Sequence, residues 1–564
     1  MGSAASKGGR LTEDADSSTR RKARGAFFTP AEIARFIADW AVRSPSDTVL
    51  EPTCGEASFL LSAGERLRVL GCDDRSWGRQ LRGIEIHKES AENARSIVRK
   101  AGLNADITIA DFFDCEPPND RYDVVIGNPP YVRYQRFGGH VRAKSRETAL
   151  AQGVRLNGLA SFWAASVVYA SAFLKPQGRL GFVLPAELLS VSYAAEVRRF
   201  LLNRFASVRL VVFEDRVFPG VLEEVVLLLA EGSGGARFFE VHQARNLDGL
   251  APVEKAIWTE HKPKADEKWT PALISGPNLE SYKKLSTGAG FSPLLDWGDT
   301  YLGAVTGNNG YFALRRSDIA RRRLASEDVI RISPPGSRHL RELNFTAEAW
   351  ESLANADARC FLFYPYRPLH ESAKRYAKRG ENLGVNLAYK CSVRSPWWKV
   401  PIVRKPDLFL TYMNHDRPRF VANTAGVDIL NSVYGIALKH GHKTIGREFL
   451  PVACLNSVTL LGAEVVGRAY GGGLLKLEPT EADKLPVPSF QLIDSVATGI
   501  RRIRQDLSVA LEQNDIAKAV DMVDRIILKD AFDVSDSDLA GLRSARELFF
   551  QRRRTRGRVI SGKN

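Results

Sequence analysis

Four consecutive residues, Asn128-Pro129-Pro130-Tyr131, concentrate the most chemistry in this chain. Two prolines in a row fix backbone angles and remove two N–H donors, leaving the neighbouring carbonyls to accept. Asn128 adds a side-chain carbonyl, and Tyr131 adds a flat π-face. Fixed acceptors beside an aromatic platform suit an amino group carried on a planar ring. Accepting both N–H bonds of that amine keeps its lone pair aimed at an electrophile, the arrangement amine methylation needs. A chance turn of this composition is the competing reading. The apolar strand pattern directly before it, Tyr122–Gly127, argues against chance.

Three acids stand at the ends of earlier apolar runs. Glu51 closes Val49-Leu50-Glu51 and opens the small-residue turn Pro52-Thr53-Cys54-Gly55-Glu56-Ala57. That turn lacks the GxGxxG of a pyrophosphate cradle, and an acid there suits a ligand with a cationic amine. Glu85 ends Gly83-Ile84-Glu85-Ile86. In that place an acid accepts from both hydroxyls of a ribose, although a surface glutamate reads the same way. Asp111 and Phe112 follow the third run. They either bond an exocyclic amine and cover a purine face, or form a helix-capping Asp beside a core Phe. Cys54 reads as a small packed residue.

The elements that must position these residues follow from periodicity. Strand-like runs at 48–51, 83–86, 107–110, 122–127, 179–185, 208–214 and 223–230 alternate with amphipathic stretches at 30–42, 88–101, 160–174 and 194–205. Such alternation predicts an open, mainly parallel α/β sheet, with ligands outside the carboxyl ends of its strands. The last two runs flank Phe218-Pro219-Gly220 and are expected to form an antiparallel hairpin at one edge of the sheet. Residues 1–24 read as a disordered tail, and 491–532 as helical again. The chain ends in a run of arginines from Arg552 to Arg558, expected as a basic tail.

A net charge of +15 favours polyanionic partners. Six scattered cysteines without a CxxC pair argue against disulfides or a zinc ribbon and fit a reducing, cytoplasmic setting. No run approaches the ~20 apolar residues of a membrane span. No metal is expected, since His440-Gly441-His442 has neither acid nor cysteine spacing beside it.

Taken in order, these motifs resemble the γ class of N6-adenine DNA methyltransferases from bacterial restriction–modification systems. Gly25-Ala26-Phe27-Phe28-Thr29-Pro30 is similar to the family's N-terminal cofactor motif. The resemblance implies S-adenosyl-L-methionine as cofactor, bound by Thr29, Glu51, Thr53, Cys54, Gly55, Glu85, Asp111, Phe112 and Pro130. It implies a catalytic set of Asn128, Pro129, Pro130 and Tyr131, with Phe218 touching the other side of a flipped adenine. The implied fold is a seven-stranded, mainly parallel methyltransferase (Rossmann-like) sheet with an antiparallel edge hairpin at 25–244. An α+β target-recognition domain at 245–490 and a helical segment with basic tail at 491–564 would follow. Val305–Phe312 and Tyr470–Leu477, numbered 305–312 and 470–477, resemble segments that enter and leave the recognition domain. One departure is Ala57, where the family usually has a second glycine.

Double-stranded DNA is then the expected partner, with a cognate restriction endonuclease as a separate protein, no membrane, and a monomer reading an asymmetric contact. Basic and aromatic residues at 364–367, 394–399 and 417–419 are candidates for base and phosphate contacts, against packed aromatics with solvated charges. Competing activities are cytosine-N4 methylation, which usually replaces Asn128 by Ser or Asp, and methylation of RNA or of a protein glutamine. A non-enzymatic specificity subunit would not retain the whole pocket, and no endonuclease motif is evident.

Overall fold

The computed structural model describes residues 29–72, 80–132, 139–158, 160–215, 217–218, 224–264, 267–366 and 368–557. The expected tail at 1–24, residues 25–28, Pro219, Gly220, Arg367 and Arg558 lie outside the described residues. The chain divides into two compact units, Met1–Leu273 and Ile274–Gly557.

In the first unit, α1 (Ala31–Ala41) buries Ile33, Ala34, Ile37, Ala38 and Trp40 along one stripe, as three-to-four spacing requires. Then follow β1 (Val49–Glu51), α2 (Ser58–Val69), β2 (Leu81–Glu85), α3 (Lys88–Lys100), β3 (Asp106–Ile109), β4 (Tyr122–Gly127), α4 (Gly139–Ala151) and α5 (Phe162–Ala170). After β5 (Leu174–Pro185) come α6 (Ala195–Arg204), β6 (Ser207–Phe213), β7 (Val225–Glu231), β8 (Phe239–Ala244) and β9 (Thr259–His261). One sheet holds all nine strands in the order β3-β2-β1-β4-β5-β7-β6-β8-β9. Strands β1 to β5 run parallel, and β7 is antiparallel to both neighbours.

Two expectations are corrected here. The sheet has nine strands rather than seven. β8 alternates Phe239, Val241 and Ala244 with polar residues, and β9 is Thr-Glu-His, so neither carries an apolar run. The β6–β7 pair is antiparallel as expected, yet it is not an edge hairpin. β7 lies between β5 and β6, and β8 pairs parallel along the far side of β6. The strand Val-Val-Leu-Leu-Leu-Ala in β7 is buried throughout, which suits an interior place. Each of its buried valines and leucines contributes about 1.5–3 kcal/mol when removed from water. The unit passes residue 244 because Trp269 stacks on Phe239 at 4.2 Å and its main-chain N–H donates to the Leu189 carbonyl.

In the second unit, β10 (Gly298–Leu302), β11 (Asn344–Phe345), β12 (Leu408–Leu410), β13 (Phe420–Asn423) and β14 (Tyr434–Leu438) form a sheet ordered β10-β14-β12-β13-β11. The unit also contains helices α7 (Glu371–Asn382), α8 (Tyr389–Ser392), α9 (Lys443–Ala453), α10 (Ser457–Val466), α11 (Phe490–Glu512), α12 (Ile516–Asp524) and α13 (Asp536–Gly557), and smaller sheets. The expected basic tail is corrected in part. Arg552 and Arg553 lie on α13 and are 4% and 3% exposed. Arg553 forms an ion pair with Glu464 on α10 at 2.6 Å, and both side chains are buried. Among the described residues no single helix is long and apolar enough to cross a membrane.

Candidate active site

The strand order reverses between β1 and β4, the position at which open α/β sheets carry a ligand crevice between the loops leaving the carboxyl ends of the strands. The parallel register pairs Val49 with Val124 and Leu50 with Val125, which brings the Glu51 end of β1 beside the Gly127 end of β4. The approach is close: a methyl group on Gly127 would lie 3.7 Å from the Glu51 side chain and from Pro52. Thus Asn128 and Glu51, 77 positions apart in sequence, emerge at the same sheet edge.

Asn128 donates from Nδ2 to the hydroxyl of Thr29 at 3.1 Å. Its Oδ1 is buried and accepts no hydrogen bond. Thr53 Oγ1 is buried without a partner as well. Orphaned buried polar atoms cost about 1–3 kcal/mol each, so two of them at one crevice mark where a ligand's donors belong. Pro129 is buried and Pro130 half-buried. The chain after Tyr131 is anchored where the Phe162 N–H donates to the Val132 carbonyl at 2.9 Å, at the start of α5. Tyr131 packs at the edge of the apolar cluster that contains Val217 and Phe218. Phe218 is 4% exposed, so its ring is covered in this conformation.

Glu51 is 3% exposed, and its Oε2 accepts from the Leu60 N–H in the first turn of α2 at 3.1 Å. Burial pushes its carboxyl well above the usual carboxylate range; the Leu60 N–H opposes this, and the charge of Glu85 adds to it. A buried acid held this way becomes a better anion when a cation arrives. Glu85 accepts from the Gly55 N–H at 3.0 Å through Oε2 and from the His87 N–H at 2.9 Å through Oε1. Each oxygen keeps a second lone pair.

The turn between Glu51 and α2 has two residues in the left-handed region, Gly55 at φ +48° and Ala57 at φ +63°. Glycine takes that conformation freely, whereas alanine pays roughly 1 kcal/mol. Ala57 therefore holds its place in the turn at the cost of backbone strain. No sequence signal announced that strain beyond the missing glycine.

Asp111 accepts from the Phe113 N–H at 3.0 Å and caps a short helical turn. Phe112 is buried against Tyr169 and Phe173, with centroids 5.2 and 5.3 Å away. These contacts match the capping-and-core alternative for the pair. The Ala110 N–H donates to the Glu85 carbonyl, so Asp111 leaves the sheet next to the tip of β2. Cys54 is 3% exposed and lies against the sheet, its Sγ 3.1 Å from where a Gly83 methyl would sit. Burial, then Glu51 and Glu85, push its thiol far up, which leaves it no nucleophile at neutral pH.

A polar cluster that sequence reasoning did not single out follows β5. Tyr193 donates to Glu187, and Trp163 Nε1 donates to the Tyr193 hydroxyl at 3.2 Å. Trp163 lies on α5, 30 positions before Tyr193, so sequence spacing does not announce the cluster. In the second unit the basic clusters are less solvated than their composition suggested. Arg394 donates to the carbonyls of Thr306 and Val305. Arg417 is 5% exposed beside Asp416, and Arg419 donates to the Leu340 carbonyl. Tyr366 is exposed, Trp398 is buried, and the His442 ring stacks on Phe490 at 5.1 Å.

Comparison with known proteins bears on both units. Residues 14–233 match the model of the N-6 DNA methylase family. Residues 266–528 match that of the C-terminal domain of Type II methyltransferase M.Eco57I. Type II methyltransferase M.AccI of Acinetobacter calcoaceticus is 23% identical over 495 residues, covering 84% of this chain and 87% of that protein. M.XamI of Xanthomonas campestris pv. amaranthicola is 24% identical over 491 residues, covering 83% and 85%. The fold is similar to that of the Type IIL restriction-modification enzyme MmeI, at 13% identity and a TM-score of 0.56 over 90% of this chain and 73% of that one. With the NPPY strand end in place, the match of residues 14–233 to the N-6 DNA methylase model and of residues 266–528 to the Type II methyltransferase C-terminal model marks the chain as a DNA methyltransferase similar to those of restriction–modification systems.

Proposed function

We propose that this chain methylates N6 of an adenine flipped out of duplex DNA, with S-adenosyl-L-methionine as donor, and so protects its target from a separate cognate endonuclease. The observation that carries the reading is the buried, unpartnered Oδ1 of Asn128, held in place from its other side by Thr29. A stacked adenine hides its amino group, so the base must leave the helix to reach such an acceptor. Asn128 and the Pro129 carbonyl would accept the two N6 protons, while Tyr131 and Phe218 would hold the faces of the ring. The residues at the crevice also fit the cofactor. Glu51 offers a carboxylate to a cationic amine, the Thr53 hydroxyl lacks a partner, and the spare lone pairs of Glu85 suit a ribose. Asp111, which leaves the sheet next to the tip of β2, would meet the cofactor's adenine, with Phe112 packed behind it as a core residue. When bound, the cofactor supplies an electrophilic methyl group on sulfonium sulfur. The protein's share is positioning and exclusion of water, with no covalent enzyme intermediate.

Incubation with labelled S-adenosylmethionine and plasmid DNA, followed by nucleoside analysis, tests the reading. N6-methyladenine supports it; N4-methylcytosine, or label in RNA or protein alone, refutes it. A second measurement concerns pH. Below the raised pKa of ligand-free Glu51 the carboxyl must release its proton to meet a cation. Cofactor affinity should therefore fall about tenfold per pH unit there and level off above it. Calorimetric titration of the wild type should show this slope and proton release, and Glu51→Gln should bind more weakly with a flat profile. A wild type with no pH dependence would remove Glu51 from the cofactor site.

A further inference from the structure

Within the second unit a small group of arginines is buried without enough acceptors. Arg417-Pro418-Arg419 leads directly into β13, and the proline biases this stretch toward extended backbone, in which alternate residues share a side. Both arginines line one cleft, together with the exposed Arg341 and the apolar Leu343, Phe420 and Leu455. Arg419 is fixed from behind. Its main-chain N–H donates to Thr411 Oγ1 at 2.8 Å, and its Nη1 to the Leu340 carbonyl at 3.1 Å. Arg417, 5% exposed, donates through Nη1 to the neighbouring Asp416 carboxylate. The Nε of each arginine is nevertheless buried and has no acceptor.

Charge points the same way. Three guanidiniums face the half-buried Asp416 and the exposed Glu342, which leaves one positive charge over. Burial pushes Arg417 and Arg419 below the usual arginine range; Asp416 opposes this, while Arg419 beside Arg417 and Arg341 beside Arg419 add to it. Two orphaned donors beside surplus positive charge mark a place for an anion. The space is small, with room for little more than one water-sized group. A base does not fit there, but a single anionic oxygen does. A phosphate can present one oxygen to such donors and keep its ester arms outside, and guanidinium forks match its geometry. The chain's net charge of +15 favours a partner that carries phosphates in series.

We propose that Arg417 and Arg419 form a phosphate site on the second unit, which takes one oxygen of a backbone phosphate of duplex DNA on their unpartnered Nε donors. That the phosphate belongs to DNA rests on the methylation reading above; the site itself does not. Such a contact positions the second unit on a duplex and reads no base. Inorganic phosphate, exchanged for chloride at constant ionic strength, should raise the melting temperature of the wild type. Arg417→Met and Arg419→Gln should lose that rise. Each should also bind a labelled duplex roughly tenfold more weakly at low salt. The slope of log affinity against log salt should become shallower by about 0.9, the value of one phosphate contact. Arg419→Lys keeps the charge without the fork, so it should keep the slope and still bind more weakly. Arg419 is half-buried, and its variants carry the test if Arg417→Met folds poorly. Loss of the phosphate effect with wild-type duplex binding would assign the cleft to free phosphate and overturn its assignment to DNA. A phosphate effect that survives both substitutions would overturn the site. So would wild-type slopes with no phosphate effect at all, or full duplex affinity in Arg419→Lys. Methylation confined to RNA or protein would sink the reading above and leave the response to inorganic phosphate in place.

Discussion

Asn128→Ala is expected to slow methyl transfer to DNA by roughly 10²–10³-fold, the usual loss when one preorganised hydrogen-bonding group is removed from a reacting centre. Cofactor affinity and duplex affinity should change little. Asn128 Oδ1 is the orphaned acceptor at the crevice, and the amide is oriented by its bond to Thr29 rather than by the cofactor loop. Alanine removes the acceptor that holds the amine's lone pair on line, and it leaves Glu51, Thr53 and Glu85 untouched. Asn128→Asp should retain more activity than alanine, because a carboxylate still accepts. Single-turnover rates with labelled cofactor, beside equilibrium dialysis for cofactor binding, separate the two effects. Near-normal turnover in Asn128→Ala would show that the amine is held elsewhere.

Arg553→Met is expected to destabilise the second unit by about 3–5 kcal/mol, because it leaves the buried Glu464 carboxylate without its counter-charge. The Arg553 guanidinium reaches Glu464 through Nε at 2.8 Å and Nη2 at 2.6 Å, and Nη1 donates to the Gly473 carbonyl at 2.6 Å. Cutting it removes several bonds at once, and an unfolding transition lower by roughly 6–15 °C should follow in calorimetry. The paired replacement Arg553→Met with Glu464→Leu should recover most of the loss, since no charge is then stranded. If the single variant melts like the wild type, the pair does not anchor α13.

The active-site end of the sheet was legible because its signals are local. β4 was read at its observed bounds, since an unbroken apolar run is followed at once by two prolines. Glu51, Glu85 and Asp111 stood out as the first polar residues after strand-like runs, and a parallel sheet brings such ends to one edge. The capping role of Asp111 was one of two readings that sequence left open, and only the Phe113 contact shows it made. Other features depend on partners far away along the chain. Nothing near Arg553 tells it from a solvated arginine, because Glu464 lies 89 positions earlier. Leu387 and Tyr389 are residue types that periodicity assigns to a core, and only the folded surface shows them exposed. β8 and β9 were missed because an outer strand, half covered and mixed in polarity, lacks the continuous apolar run of an interior one.

Those two overlooked strands do something for the sheet that the catalytic residues cannot. Without them β6, with Leu210, Val211 and Val212 buried, would present an open row of main-chain donors and acceptors for another chain to pair with. Instead the sheet ends in β9, three residues of Thr259, Glu260 and His261, and at the other side in the four-residue β3, which carries Asp106. Short, charged borders give an incoming strand little to template on. A nine-stranded sheet with a strongly apolar interior is thereby guarded at both margins against adding a tenth strand from a neighbour.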